Sequence, residues 1–176
     1  MAFWRQAGPQ RWFAVDPDFD SVLHESFAAL HREAACGKLS SWEQQAPSAL
    51  ALILLTDQIP RNIFRHSAHA FATDDMARNV ADRALARGFD QATEPGLRLF
   101  FYLPFEHHED AASQARAVAL CERLTAETGV KDWLDYARLH QGLIARFGRF
   151  PHRNVVLGRI STPEEIAYLA EGGFAG

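Results

Sequence analysis

Arginine, histidine and carboxylate residues gather in three short stretches of this chain, each where a strongly apolar helical pattern breaks. The first is "TDQIPRNIFRHSAH", residues 56–69, which offers Asp57, Gln58, Arg61, Asn62 and Arg65. Arg61 and Arg65 stand four apart, so they share one helical face. The second is "EHHED", residues 106–110, with His107, Glu109 and Asp110 shortly after Pro104. The third is "FGRFPHRN", residues 147–154, where Arg149, His152, Arg153 and Asn154 alternate with phenylalanine, glycine and proline. No acidic residue occurs between Tyr136 and Pro163, yet that span holds Arg138, Arg146, Arg149, Arg153 and Arg159.

Planar guanidinium donors suit a carboxylate or a phosphate. Arginine, histidine and acid together also suit general acid–base work, because neighbouring charges move the pKa of an imidazole or a carboxyl. The expectation is one polar site that takes a small anionic ligand. Asp57, Gln58, Arg61, Asn62, Arg65, Arg149, Arg153 and Asn154 would bind it, and His107, Glu109, Asp110 and His152 are the acid–base candidates. Within "FGRFPHRN", Phe147 and Phe150 should enter the core. Gly148 should mark the close approach of another backbone. Arg149 or Arg153 should face Glu109 or Asp110, leaving the other guanidinium free.

The competing account is structural. Polar residues collect at helix ends because orphaned backbone groups need partners, and Arg61 and Arg65 would then pair with Glu109 or Asp110. Two observations separate the accounts: whether the three stretches meet, and whether a guanidinium is left over. His140, on an apolar face, reads as a core histidine, and His66 and His69 as surface residues. Other chemistries have less support. Adjacent His107 and His108 point apart on a helix, and there is no HExxH and no paired ExxH, so no metal or other cofactor is expected. Ser67 and Ser161 lack a nucleophile elbow, and no glycine-rich phosphate loop occurs.

The elements that must position these residues read as helices almost throughout. Pro17 and Asp18 open one that closes at Gly37, with Phe19, Val22, Leu23, Phe27 and Leu30 as its apolar stripe. Pro47 opens a central apolar helix through "SALALILLTDQ", and Pro60 starts a short one. Thr73 or Asp74 caps a helix that ends at Gly88. Another runs over "PGLRLFFYLPF" to Pro104. Asp110 begins a long helix to Gly129, Asp132 caps the next, and "STPEE" at 161–165 starts the last, which stops at Gly172. Only "NVVLGRI" hints at a strand. The fold class is all-α, seven or eight helices with antiparallel neighbours, in a single domain over 1–176.

Composition agrees with that reading. A chain of 176 residues buries roughly 70% of the surface its unfolded form exposes. Thirteen Phe and four Trp supply a large core. A net charge of −4 argues against nucleic acid or an anionic membrane as partner. The most apolar run, "ALALILL", is too short to span a bilayer. The N-terminal "MAFWRQAGPQRWF" lacks the long apolar core of a signal peptide. Cys36 and Cys121 are distant and form no CxxC, so both read as small buried apolar residues and a reducing, cytoplasmic setting is expected.

The stretches "ALALILLTDQIPRNIFR", "AFATDDMA", "LFFYLPFEHHED", "FGRFPHRNVVLGR" and "STPEE" closely resemble the bacterial domain of unknown function 924 family, from the N-terminal "RWF" to the last helix. The family typically reads "DQFPRN" where this chain has Ile59, and "HSED" where it has His108. The first change keeps an apolar residue; the second removes a hydroxyl. The resemblance implies a tetratricopeptide-like right-handed stack of antiparallel helix pairs and carries no established activity. Two functional readings result. One is a small anionic molecule in a pocket between helices, with or without catalysis. The other is a tetratricopeptide-like module that grips a peptide or its terminal carboxylate. Pocket shape separates them.

Overall fold

Proline and small polar caps decide where this chain starts its helices, and a computed structural model describes the result for residues 1–175. Asp16 accepts a hydrogen bond from the Phe19 amide and Pro17 occupies the first turn of α3, Pro17–Ala35. That arrangement satisfies one orphan donor and needs no amide from the proline. Asp110 does the same for the Ser113 amide at the head of α9, Ala111–Thr128. Thr162 and Glu165 form a reciprocal capping box at α11, Pro163–Ala170. Before α3 come two short N-terminal helices, α1 (Ala2–Ala7) and α2 (Pro9–Trp12). No strand occurs among the described residues; 154–158 is a turn, and 159–160 is irregular.

The helical segments outnumber the seven or eight expected. The central apolar helix is two: α4, Ala46–Thr56, and α5, Gln58–Ile63, separated at Asp57. After α6, Asp74–Ala86, the "PGLRLFFYLPF" stretch is α7 (Pro95–Arg98), a 3-10 turn and α8 (Leu103–Glu106). Pro104 lacks the amide needed to continue the ladder, and it sits in the first turn of α8, where that amide is not needed. α10 is Asp132–Phe147.

α4 is the centre of the core, with Leu50, Leu52, Ile53, Leu54 and Leu55 all buried. It packs against α3 and α6, while α9 packs against α8 and α10. Phe100, Phe101 and Phe105 fill the space around it. Leu143, Ile144 and Phe150 form a second, smaller cluster against Phe147, Tyr168 and Phe174, so both phenylalanines of "FGRFPHRN" do enter apolar packing. Cys121 is buried but Cys36 is exposed, because it caps the surface end of α3 rather than lying on its apolar stripe. No described helix is long and apolar enough to cross a membrane.

Gly148 corrects an expectation. Its φ is 70°, it caps α10 in the left-handed region, and its amide donates to the Ile144 carbonyl at 2.8 Å. A Cβ built there meets nothing within 4 Å. The glycine serves backbone geometry, not close approach. Gly148→Ala should therefore lower stability by about 1 kcal/mol in urea titration, the left-handed penalty for an L-residue. A loss several times larger would mean that a neighbour blocks the site after all.

Candidate functional site

The α4–α5 break buries a carboxylate. Asp57 is 0% exposed, and a charge at such depth needs donors around it. Gln58 Nε2 donates to Oδ2 at 2.6 Å and His107 Nδ1 to Oδ1 at 2.8 Å, and Arg61 Nη1 lies 3.2 Å from Oδ1. An ionised carboxylate only accepts, so His107 carries its proton on Nδ1 and turns Nε2 away as an acceptor. Nε2 makes no hydrogen bond with any described residue. Burial by itself would raise the Asp57 pKa; Arg61 and then His107 outweigh it and hold the group well below the ordinary carboxylate range. Burial, followed by Arg61, lowers the His107 pKa, so the imidazole is neutral at neutral pH.

Arg61 also meets Asp74 two-pronged, at 2.9 and 3.0 Å. Asp74 is an end residue of α6, a role its place after Thr73 could signal but its pairing could not. Arg153 adjoins the same group. Its Nη1 donates to the His107 carbonyl at 3.0 Å and lies 3.6 Å from Asp74 Oδ2, beyond hydrogen-bond reach. Phe71 and Phe150 each stack on its guanidinium at 4.5 Å. Its Nε is buried without a partner. Burial, then Arg61, pulls its pKa down to about 10, which still leaves it charged.

A second network starts at Glu165, 1% exposed. Arg149 donates to it at 2.6 and 2.8 Å, Asn154 at 3.1 Å and the Thr162 amide at 2.7 Å. The Arg149 bonds, more than any other influence, hold its carboxyl at about 2. Asn154 Oδ1 in turn accepts from Arg159, whose other nitrogens grip Glu109 at 2.6 and 3.0 Å. Glu109 also accepts from the Phe150 amide at 2.8 Å. The expected partners were therefore exchanged: Glu109 takes Arg159, and Arg149 takes Glu165. The reason for the Arg149 exchange is reach: α11 places Glu165 against the Arg149 fork, where two guanidinium bonds are made.

The structure thus joins Asp57, Gln58, Arg61, His107 and Arg153 in one cluster, with Arg149, Asn154 and Glu109 in the adjoining one. His152 packs between Phe150 and Phe174, with ring centroids 5.6 and 5.3 Å away and a buried, unpartnered Nδ1. Asn62 and Arg65 face elsewhere: both donate to Asp20 and tie α5 and the turn after it to α3. Asp110 is spent on capping α9 and stands 2.5 Å from His108. Asp74, Arg159 and Glu165 are the members that sequence reasoning did not place in the site. His140 is buried as expected, but beside a charge, with Nδ1 3.0 Å from Glu106 Oε1. Among the described residues no group of three or more His, Cys, Asp or Glu could hold a metal. Clefts of about 400 and 330 Å³ open elsewhere on the molecule, and neither is lined by this cluster.

The model of the family described as bacterial protein of unknown function (DUF924) matches residues 1–173. A solved structure of a protein of unknown function from Agrobacterium tumefaciens is 50% identical, with a TM-score of 0.92, over 97% of this chain and 94% of that one. No curated protein matches in sequence.

The buried histidine sets a pH dependence. Burial, then Arg153, depresses the His152 pKa to about 3. Between that value and about 6.5 the unfolded chain takes up a proton that the folded chain refuses, so the site's contribution is complete above that window and is lost as pH falls through it. Urea titrations at about pH 7.5 and about pH 5 should show His152→Phe losing about 2 kcal/mol less than the wild type. Equal losses would place an accessible, ordinary histidine there.

Proposed function

We propose that this chain, which belongs to the DUF924 family of bacterial proteins of unknown function, binds a small oxyanion beside His107, with His107 as its acid–base group. One observation carries the reading. The buried Asp57–His107 pair stands next to Arg153, the one arginine of the three stretches with no carboxylate within hydrogen-bond reach. Arg61, Arg65 and Arg149 are each consumed by a protein carboxylate.

The chemistry follows from the tautomer. Asp57 fixes the proton on Nδ1 and orients the ring, which leaves the lone pair on Nε2 free to act as a general base. A neutral imidazole beside cationic Arg153 accepts a proton from a ligand whose negative charge the guanidinium holds. Phe71 and Phe150 hold that planar guanidinium against their ring faces, and an arginine so held favours a carboxylate or phosphate. A second reading draws on Val155, 87% exposed, and Ile160, 91% exposed, beside the same network. These apolar side chains suit the residues of a peptide whose terminal carboxylate meets Arg153.

Thermal shift distinguishes these readings from a purely structural network. The melting temperature should rise with inorganic phosphate, a phosphorylated metabolite, a carboxylate or a free peptide C-terminus. Arg153→Met should leave the ligand-free Tm nearly unchanged, since no carboxylate loses its main partner, and should abolish the rise. Arg149→Met, which strips the buried Glu165, should lower Tm by several degrees. An equal fall from both variants, or no response to any anion, would reduce the cluster to a salt-bridge network. A response to the free peptide alone, lost on amidation, would select the peptide reading.

A further inference from the structure

A cleft of about 400 Å³ opens between the end of α6, the turn that follows it and α9. Leu85, Ala86 and Leu120 line it with Asp90, Arg116 and Arg123. None of these residues bonds to the Asp57 or Glu165 networks. Asp90 is 5% exposed. Its Oδ2 accepts from Tyr102 Oη at 2.9 Å and from Gln91 Nε2 at 2.8 Å. Its Oδ1 accepts from no described residue, and no described cation lies within ion-pair distance of it.

A buried carboxylate attended only by neutral donors has an unmet demand for positive charge. Arg123 is the cation available to a ligand in the same cleft. It is exposed on the cleft and makes no hydrogen bond or ion pair with any described residue. Arg116 is less available, because its guanidinium pairs with Asp82 at 2.5 Å and lies 4.3 Å over the Phe105 ring. Burial, and then Asp90, raises the Tyr102 pKa, so the phenol remains a donor and holds Oδ2 in place.

We propose that this cleft binds a small zwitterion, its ammonium on Asp90 Oδ1 and its carboxylate on Arg123. The volume stands near the lower end of the roughly 300–1,000 Å³ usual for small-molecule sites, which suits a ligand of amino-acid size. Leu85, Ala86 and Leu120 would cover the carbon chain between the two charges.

The test is calorimetric titration of the intact protein with the unbranched ω-amino acids from glycine to ε-aminocaproate, and with butylamine and butyrate. At least one zwitterion should bind about tenfold tighter than either singly charged control. Asp90→Asn, which keeps the acceptor for Tyr102, and Arg123→Gln, at an exposed position, should each weaken that zwitterion by about tenfold or more. Circular dichroism checks that Asp90→Asn folds; if it does not, Arg123→Gln decides alone. Failure of every zwitterion to bind, or unchanged binding in a folded variant, overturns the proposal. Butylamine binding as tightly as the best zwitterion overturns it too, because Arg123 would then contribute nothing.

Discussion

The buried carboxylate of Asp57 is the constraint around which this molecule is arranged. A charge at that depth is tolerable only when its oxygens are met by donors in good geometry. Meeting them explains the local backbone. The helix stops at Thr56, Asp57 takes φ −119° and ψ −62°, and α5 restarts at Gln58, whose own side chain is one of the donors. The Thr56 carbonyl accepts from Thr73 Oγ1 at 2.6 Å, and the Leu55 carbonyl meets His31 Nδ1 at 2.8 Å. Both carbonyls belong to the last turn of α4, where intrahelical partners run out. The break therefore recruits α3 and the head of α6 as well as α8.

From Asp57 the demand for charge passes outward. Arg61 answers Asp57 and in doing so brings Asp74 close. Gln114, itself fully buried, donates to the Glu106 and His108 carbonyls at 2.6 and 2.7 Å and so fixes the turn that presents His107. Beyond His107 the second network closes on Glu165. Buried ion pairs of this kind contribute little net stability, yet removing one partner strands the other at high cost. The arrangement consequently resists piecemeal change. Arg153 is the exception, held by ring faces and one carbonyl, with Asp74 at 3.6 Å already taken by Arg61.

Much of the frame was legible because it follows from local rules. Asp16–Pro17, Asp110, Gly129 and the Thr162–Glu165 box each act within a few residues of their own position, and the sequence reading located each of these helix ends within a residue or two. The all-helical class came from periodicity in the same way. What could not be read was partner choice. Glu165 signals its cap three residues away, while the approach of Arg149 depends on how α11 lies against the end of α10. Arg159 sits in a turn with no periodicity, yet it takes Glu109. Asn62 and Arg65 share a stretch with Asp57 and Arg61, but Asn62 lies about 100° around α5 from Arg61, and α5 ends at Ile63 before Arg65, so both meet Asp20 instead. A run of polar residues therefore announced a cluster without revealing its wiring.

That wiring has a kinetic side. Arg149 and Asn154 both donate to Glu165, and Glu165 lies in the last helix of the described chain. Chains emerge from synthesis N-terminus first, so α3 to α6 can pack while the arginine-rich segment still lacks its acid. Until α11 docks, Arg149 lacks the carboxylate that fills its fork. The docking of eight residues, Pro163–Ala170, thus brings the basic segment its buried acid.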